Sequence, residues 1–165
     1  MHHVVRSLLI EYIYIHYQIY LYNEYTSYKS LLVSYCYSIS FSFIKISNFL
    51  GLKRSNIICM NNGTTPLQIA LKILGNEGEI ITTPFSYVAT TAAIVWENCK
   101  PVFVDIDNQT LNIDIDQIEK AILDSNNIKA IFPVHFAGLP CDMERIKQLA
   151  DKYNLAIVED ASHAL

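Results

Sequence analysis

The chain has 165 residues, 52% of them apolar and 17% charged, a length that suits one domain and is enough to bury a core. A net charge of −4 without clustered Lys and Arg excludes a nucleic-acid-binding surface as the default reading. The four cysteines, at 36, 59, 99 and 141, are too far apart for a zinc ligand set and too few for a secreted disulfide framework, so reduced thiols in a cytoplasmic protein are expected.

Composition breaks near residue 50. Nine of the eleven tyrosines fall between Tyr12 and Tyr37, whereas the first glycine is Gly51 and the first proline Pro66. Residues 1–50 carry a net +1, which leaves −5 for the rest. The charge-free run from Leu31 to Ile44 is shorter than the roughly 20 residues a spanning helix needs and is rich in Ser and Tyr, so no membrane span is expected. Glu11 and His16 interrupt the apolar region where a secretory signal would run. Segment 1–47 is therefore expected to be an atypical, aggregation-prone or poorly structured lead, or the product of an A/T-rich stretch read out of its ancestral frame. A membrane-associated protein led by this segment stands as a competing reading.

After residue 56, short β-branched runs alternate with helical patterns, the rhythm of successive βα units and of a covered parallel sheet. A helix with Leu67, Ala70, Leu71 and Leu74 on one face comes first, followed by a strand over Glu79 to Thr82. Ser86 to Asn98 reads as a helix with Val88, Ala92 and Val95 on one face, and Pro101 to Asp105 as a strand. A helix from Asp114 to Leu123, a strand from Lys129 to Val134, a helix from Asp142 to Tyr153 with a capping acid at its start, and a strand from Leu155 to Val158 complete the series.

Open α/β sheets bind ligands beyond the carboxyl ends of their strands, so the polar junctions there are the candidate sites. Asn61-Asn62-Gly63-Thr64-Thr65-Pro66 precedes the first helix and suits either a phosphate cradle or an ordinary helix cap. Thr83-Pro84-Phe85-Ser86-Tyr87 puts aromatic rings at a strand end, for stacking on a planar ligand or for the core. His135, in Pro133-Val134-His135-Phe136-Ala137-Gly138, reads as a satisfied structural histidine rather than a base, since the sequence shows no partner for it. In Ile157-Val158-Glu159-Asp160-Ala161-Ser162-His163, alternation sends the two acids to opposite sides, so one carboxylate can meet a protonated ring nitrogen. Asp160 and His163 alone are an incomplete metal ligand set, and no metal is expected.

The order and spacing of these junctions resemble the DegT/StrS-type aminotransferases from about Asn48 to Leu165. The matching stretches are Asn62-Gly63-Thr64-Thr65, Thr83 to Thr90, Lys100 to Asp107, Thr110-Leu111-Asn112-Ile113-Asp114, Pro133-Val134-His135 and Glu159 to Ala164. The resemblance implies an α/β fold, a partial large domain of the aspartate-aminotransferase type (fold type I of the pyridoxal-phosphate enzymes), with a mostly parallel sheet and covering helices over 48–165. It also implies pyridoxal 5'-phosphate as cofactor, a nucleotide-linked keto-sugar as substrate, an amino donor such as glutamate, and a homodimer. By position, Gly63, Thr64 and Thr65 correspond to the phosphate loop, Tyr87 to the residue stacked on the ring, Asp160 to the acid at the ring nitrogen and His163 to the residue near the ring hydroxyl. The family's Schiff-base lysine belongs to a segment after the Glu-Asp motif, and none of the nine lysines here sits in that motif. These 165 residues are thus expected to be inactive alone, with a non-catalytic phosphate-ligand-binding remnant or decayed gene product as the alternative.

Overall fold

The computed structural model describes residues 62–75 and 77–164, with six further positions between 44 and 53. The expectation for segment 1–47 falls almost wholly outside the described residues, as do Cys36, Cys59 and Asn61. Among the described residues no helix is long and apolar enough to cross a membrane.

The elements alternate in chain order. Helix α1 (Thr64–Leu74) leads to strand β1 (Glu79–Thr82), α2 (Val88–Trp96), β2 (Lys100–Phe103), α3 (Ile115–Asp124), β3 (Ile128–Ile131), a 3-10 turn over Phe136–Gly138, α4 (Met143–Tyr153) and β4 (Ala156–Ile157). The four strands form one sheet in the order β2-β1-β3-β4, and every pairing is parallel. Strand alternation divides the core. Ile80, Ala130 and Phe132 face one side and pack with Leu67 and Leu71 of α1 and Ala93 and Ile94 of α2, while Ile81 and Ile131 face the other and meet Ile118 and Ile122 of α3 and Ile146 and Ala150 of α4. Helices therefore cover both faces, as a parallel sheet requires.

Local chemistry sets the ends. Asp114 caps α3 by accepting from the Asp116 and Gln117 N–H groups, and Asp142 caps α4 through the Arg145 N–H. Helix α4 stops at Asn154, which takes the left-handed conformation at φ 54 that Asn tolerates. The third strand ends at Ile131, short of Val134, because Pro133 has no N–H to continue the ladder; pairing resumes for one residue where Val134 bridges Asp160.

The face of α2 that carries Val88, Ala92 and Val95 is not its buried one: Val88 and Val95 are 67% and 53% exposed, and Thr90, Ala93 and Ile94 are buried. The helix starts at Val88, with Tyr87 extended at its N-cap, and nearly all its residues are apolar or small, so periodicity alone does not distinguish its inner face. Thr90 is buried because its hydroxyl has a partner inside.

Candidate active site

Parallel strands deliver their following loops to one edge, and there the second, third and fourth junctions meet. Pro84, Phe85, Ser86 and Tyr87 from the end of β1, Val134 and Phe136 from beyond β3, and His163 from beyond β4 line an open hollow of about 210 Å³. The Phe85 and Phe136 rings lie 4.7 Å apart at 39°, a tilted aromatic pair forming part of this wall. Tyr87, 73% exposed, presents its ring to solvent rather than to the core. Gly63, Thr64 and Thr65 do not belong to that lining; they start α1, which packs beside α2. At that helix start Asn62 Oδ1 accepts from the Thr65 N–H at 2.9 Å and from its hydroxyl at 3.1 Å, so Asn62 acts as an ordinary cap. Gly63 is buried, and Thr64 and Thr65 are half-buried.

Asp160 does not line the hollow but is joined to its wall through Thr90 and Ser86. Its residue is 7% exposed. Thr90 Oγ1 donates to Oδ2 at 2.6 Å, while the Ser162 hydroxyl donates to Oδ1 at 2.6 Å and the Ser162 N–H to the same oxygen at 3.2 Å. Since the single Thr90 hydroxyl proton points at the carboxylate, Ser86 Oγ, 2.9 Å from Thr90 Oγ1, is the donor of that pair. A relay thus runs from Ser86, on the wall of the hollow, through Thr90 to Asp160. No Lys, Arg or His among the described residues forms an ion pair with this carboxylate.

Glu159 points the other way, as alternation requires, and its Oε2 lies 2.9 Å from His135 Nε2. The Cys141 side chain and then the Glu159 carboxylate favour a protonated ring and push His135 up to about 9. Against them, Nδ1 accepts the Cys141 N–H at 3.1 Å, a bond only an unprotonated Nδ1 can make. We assign the neutral Nε2–H tautomer on that backbone contact, with Nε2 donating to Glu159. His135 is a satisfied structural histidine, 5% exposed, and Glu159 is the partner that the sequence did not reveal. Cys99 and Cys141 are free and buried.

Two groups in this site carry no role in the sequence reading. Thr90 lies in the first turn of α2 and closes the matching stretch Thr83 to Thr90, where it has no assigned role; its partner Ser86, four residues earlier, precedes the helix. Ser162 lies within a recognised motif, but its two bonds to Asp160 depend on a turn after β4 that spacing does not specify.

A parallel sheet covered on both sides, with a buried carboxylate and an aromatic wall at its carboxyl edge, is an α/β arrangement shared with the large domain of solved pyridoxal-phosphate aminotransferases. Residues 44–165 match the DegT/DnrJ/EryC1/StrS aminotransferase family, and the chain belongs to it. It is 47% identical over 120 residues to the dTDP-4-amino-4,6-dideoxy-D-glucose transaminase of Escherichia coli, covering 73% of this chain and 31% of that one. Among solved structures, a DegT DnrJ EryC1 StrS aminotransferase from Brucella abortus superposes with a TM-score of 0.68 at 29% identity, over 73% of this chain and 34% of its own. NtdA from Bacillus subtilis, solved with bound cofactor PMP, superposes with a TM-score of 0.60 at 41% identity, over 62% of this chain and 24% of its own. The chain spans about a third of the length of the curated relatives it matches.

Proposed function

We propose that this chain forms the cofactor-binding part of a pyridoxal-phosphate-dependent aminotransferase that passes an amino group, from a donor such as glutamate, to a keto-sugar carried on a nucleotide. Asp160 carries this reading: a buried carboxylate with three hydrogen-bond donors and no cationic partner among the described residues suits a ligand that brings its own positive charge. A protonated ring nitrogen is such a group, and the donor set fits it, because Thr90 and Ser162 hold both oxygens in place.

When bound, pyridoxal phosphate supplies an electron sink that its protonated ring nitrogen deepens. In this reading Asp160 keeps the proton on that nitrogen. Tyr87 would cover one face of the ring and exclude water from it, His163 would orient the ring hydroxyl, and the Gly63 and Thr64 N–H groups with the Thr64 hydroxyl would hold the phosphate at the start of α1, where Thr65, donating to Asn62, would help by fixing the turn. A polypeptide of these 165 residues binds without turning over, because none of its nine lysines stands in the family's Schiff-base motif. The working protein in this proposal is a homodimer in the cytoplasm.

The test is a titration of the 165-residue chain with pyridoxal phosphate, with inorganic phosphate as competitor, followed by borohydride reduction and peptide mapping. Saturable, phosphate-competed binding without turnover of a nucleotide-linked keto-sugar is expected. Absence of saturable binding overturns the site, and turnover with a reduced adduct on one particular lysine overturns the expected inactivity.

A further inference from the structure

Asn112 lies in the Thr110-Leu111-Asn112-Ile113-Asp114 stretch, which the proposed site leaves without a role, and it does not line the hollow. Yet it is 4% exposed, and its carboxamide is committed to one loop. Nδ2 donates to the Leu139 carbonyl at 3.0 Å and to the Pro140 carbonyl at 3.2 Å, and Oδ1 accepts the Phe136 N–H at 3.0 Å. Those partners fix which end is oxygen, since a flipped amide would set acceptor against acceptor and donor against donor.

The loop needs such a clamp. Ala137 and Gly138 stand at φ 50 and φ 88, a left-handed pair that alanine adopts only under constraint. Between the buried His135 and Cys141 the chain offers little apolar anchorage: Phe136 is half-buried, Ala137 and Pro140 are exposed, and Leu139 is 50% exposed. The loop also carries two consequences for the hollow. Phe136 is one half of the aromatic wall, and Gly138 seats the turn bearing His163 so closely that a Cβ there would lie 2.7 Å from the His163 carbonyl oxygen.

We infer that Asn112 is a positioning residue: by clamping residues 136–140 from behind, it sets the Phe136 wall and the seat of His163, and so the part of the site that meets the cofactor ring rather than its phosphate. This inference rests on the proposed cofactor reading for its ligand, and on geometry alone for the clamp.

Hydrogen exchange of the 165-residue chain without ligand tests the clamp, and titration with pyridoxal phosphate and with inorganic phosphate tests its consequence. In Asn112→Leu the Phe136, Gly138 and Leu139 amides and residues 161–164 are expected to exchange at least tenfold faster. Affinity for pyridoxal phosphate should fall at least fivefold while that for inorganic phosphate, read by 31P NMR, stays unchanged. Ile94→Val, a core truncation in the cluster on the other face of the sheet, should leave the ratio of the two affinities as it is. Asn112→Asp, which keeps an acceptor for Phe136 and loses both donors, covers the case in which the leucine variant does not fold. There the Phe136 amide stays protected while Gly138 and Leu139 accelerate. Unchanged exchange in these variants, or equal loss of both affinities, overturns the inference. Failure of the unmodified chain to bind pyridoxal phosphate overturns the cofactor reading instead, and the exchange data then decide the clamp by themselves.

Discussion

Thr90→Val isolates the link between α2 and the buried carboxylate. Valine matches threonine in shape, so the substitution opens no cavity at this fully buried side chain, but it replaces the hydroxyl by a methyl group that must draw back from an oxygen now 2.6 Å away. That hydroxyl donates to Asp160 Oδ2 at 2.6 Å and accepts from Ser86. A hydrogen bond to a charged group contributes about 1.5–3 kcal/mol, and its loss leaves Oδ2 without its Thr90 donor in a site with little water. Thr90→Val should therefore destabilise the chain by about 1.5–3 kcal/mol. Thr90→Ser keeps the donor and removes one buried methyl, at a cost of about 1 kcal/mol. Urea unfolding of both variants, repeated in an Asp160→Asn background, closes a double-mutant cycle. With a neutral amide at 160 the bond is worth roughly 0.5–1.5 kcal/mol, so Thr90→Val should cost about 1 kcal/mol less there. Equal costs in the two backgrounds, within about 0.3 kcal/mol, would refute the charge-assisted bond as the reason Thr90 is buried.

The other predictions concern the frame and its surface. Phe132, fully buried between β3 and the α1–α2 layer, should cost about 3–5 kcal/mol as Phe132→Ala, read as a fall in the urea midpoint. Glu79 is held below its usual 4.5, first by the Lys100 ammonium at 2.7 Å and then by the Ser125 hydroxyl. Because its folded-state pKa is depressed, its contribution is fully present above 4.5 and is lost as pH falls through the lower folded value; Glu79→Gln should lower the melting temperature modestly at pH 7, change little below the folded value, and so flatten the acid limb of the profile. Tyr87, Val88, Val95 and Trp96 leave an exposed apolar strip on α2, so Val88→Ser with Val95→Ser should raise the concentration at which the chain self-associates in sedimentation.

Strand β1 falls on the residues the sequence indicated, Glu79 to Thr82, because four β-branched residues, Ile80 to Thr83, lie between Gly78 and Pro84. The cap of α4 was legible for a similar reason, since Asp142 stands directly before an amphipathic run and caps it, whereas Asp114, read as the first residue of its helix, is the cap of α3. The junctions that gather at the hollow followed from the strand-end rule, and the opposed directions of Glu159 and Asp160 followed from strand alternation. What escaped the sequence was contact between distant segments. The inner face of α2 is chosen by Thr90 reaching a carboxylate 70 residues away, and periodicity in an almost wholly apolar helix gives no sign of it. The partner of His135 lies 24 residues on, and the Asn112 carboxamide reaches carbonyls 27 and 28 residues away; both require the register of the finished sheet.

The most direct test of the proposed site is turnover of a chimera in which residues 62–164 replace the matching part of a full-length family aminotransferase, assayed at limiting and at saturating pyridoxal phosphate. Thr64→Val should weaken cofactor retention by about 1–3 kcal/mol through a lost charge-assisted hydrogen bond and recover its rate when cofactor is in excess. Asp160→Asn should retain the phosphate contacts and stay slow at every cofactor concentration, because a neutral amide cannot keep the ring nitrogen protonated. Near-full recovery of Asp160→Asn with excess cofactor, or no recovery of Thr64→Val, would contradict the division of ring nitrogen and phosphate between these two residues.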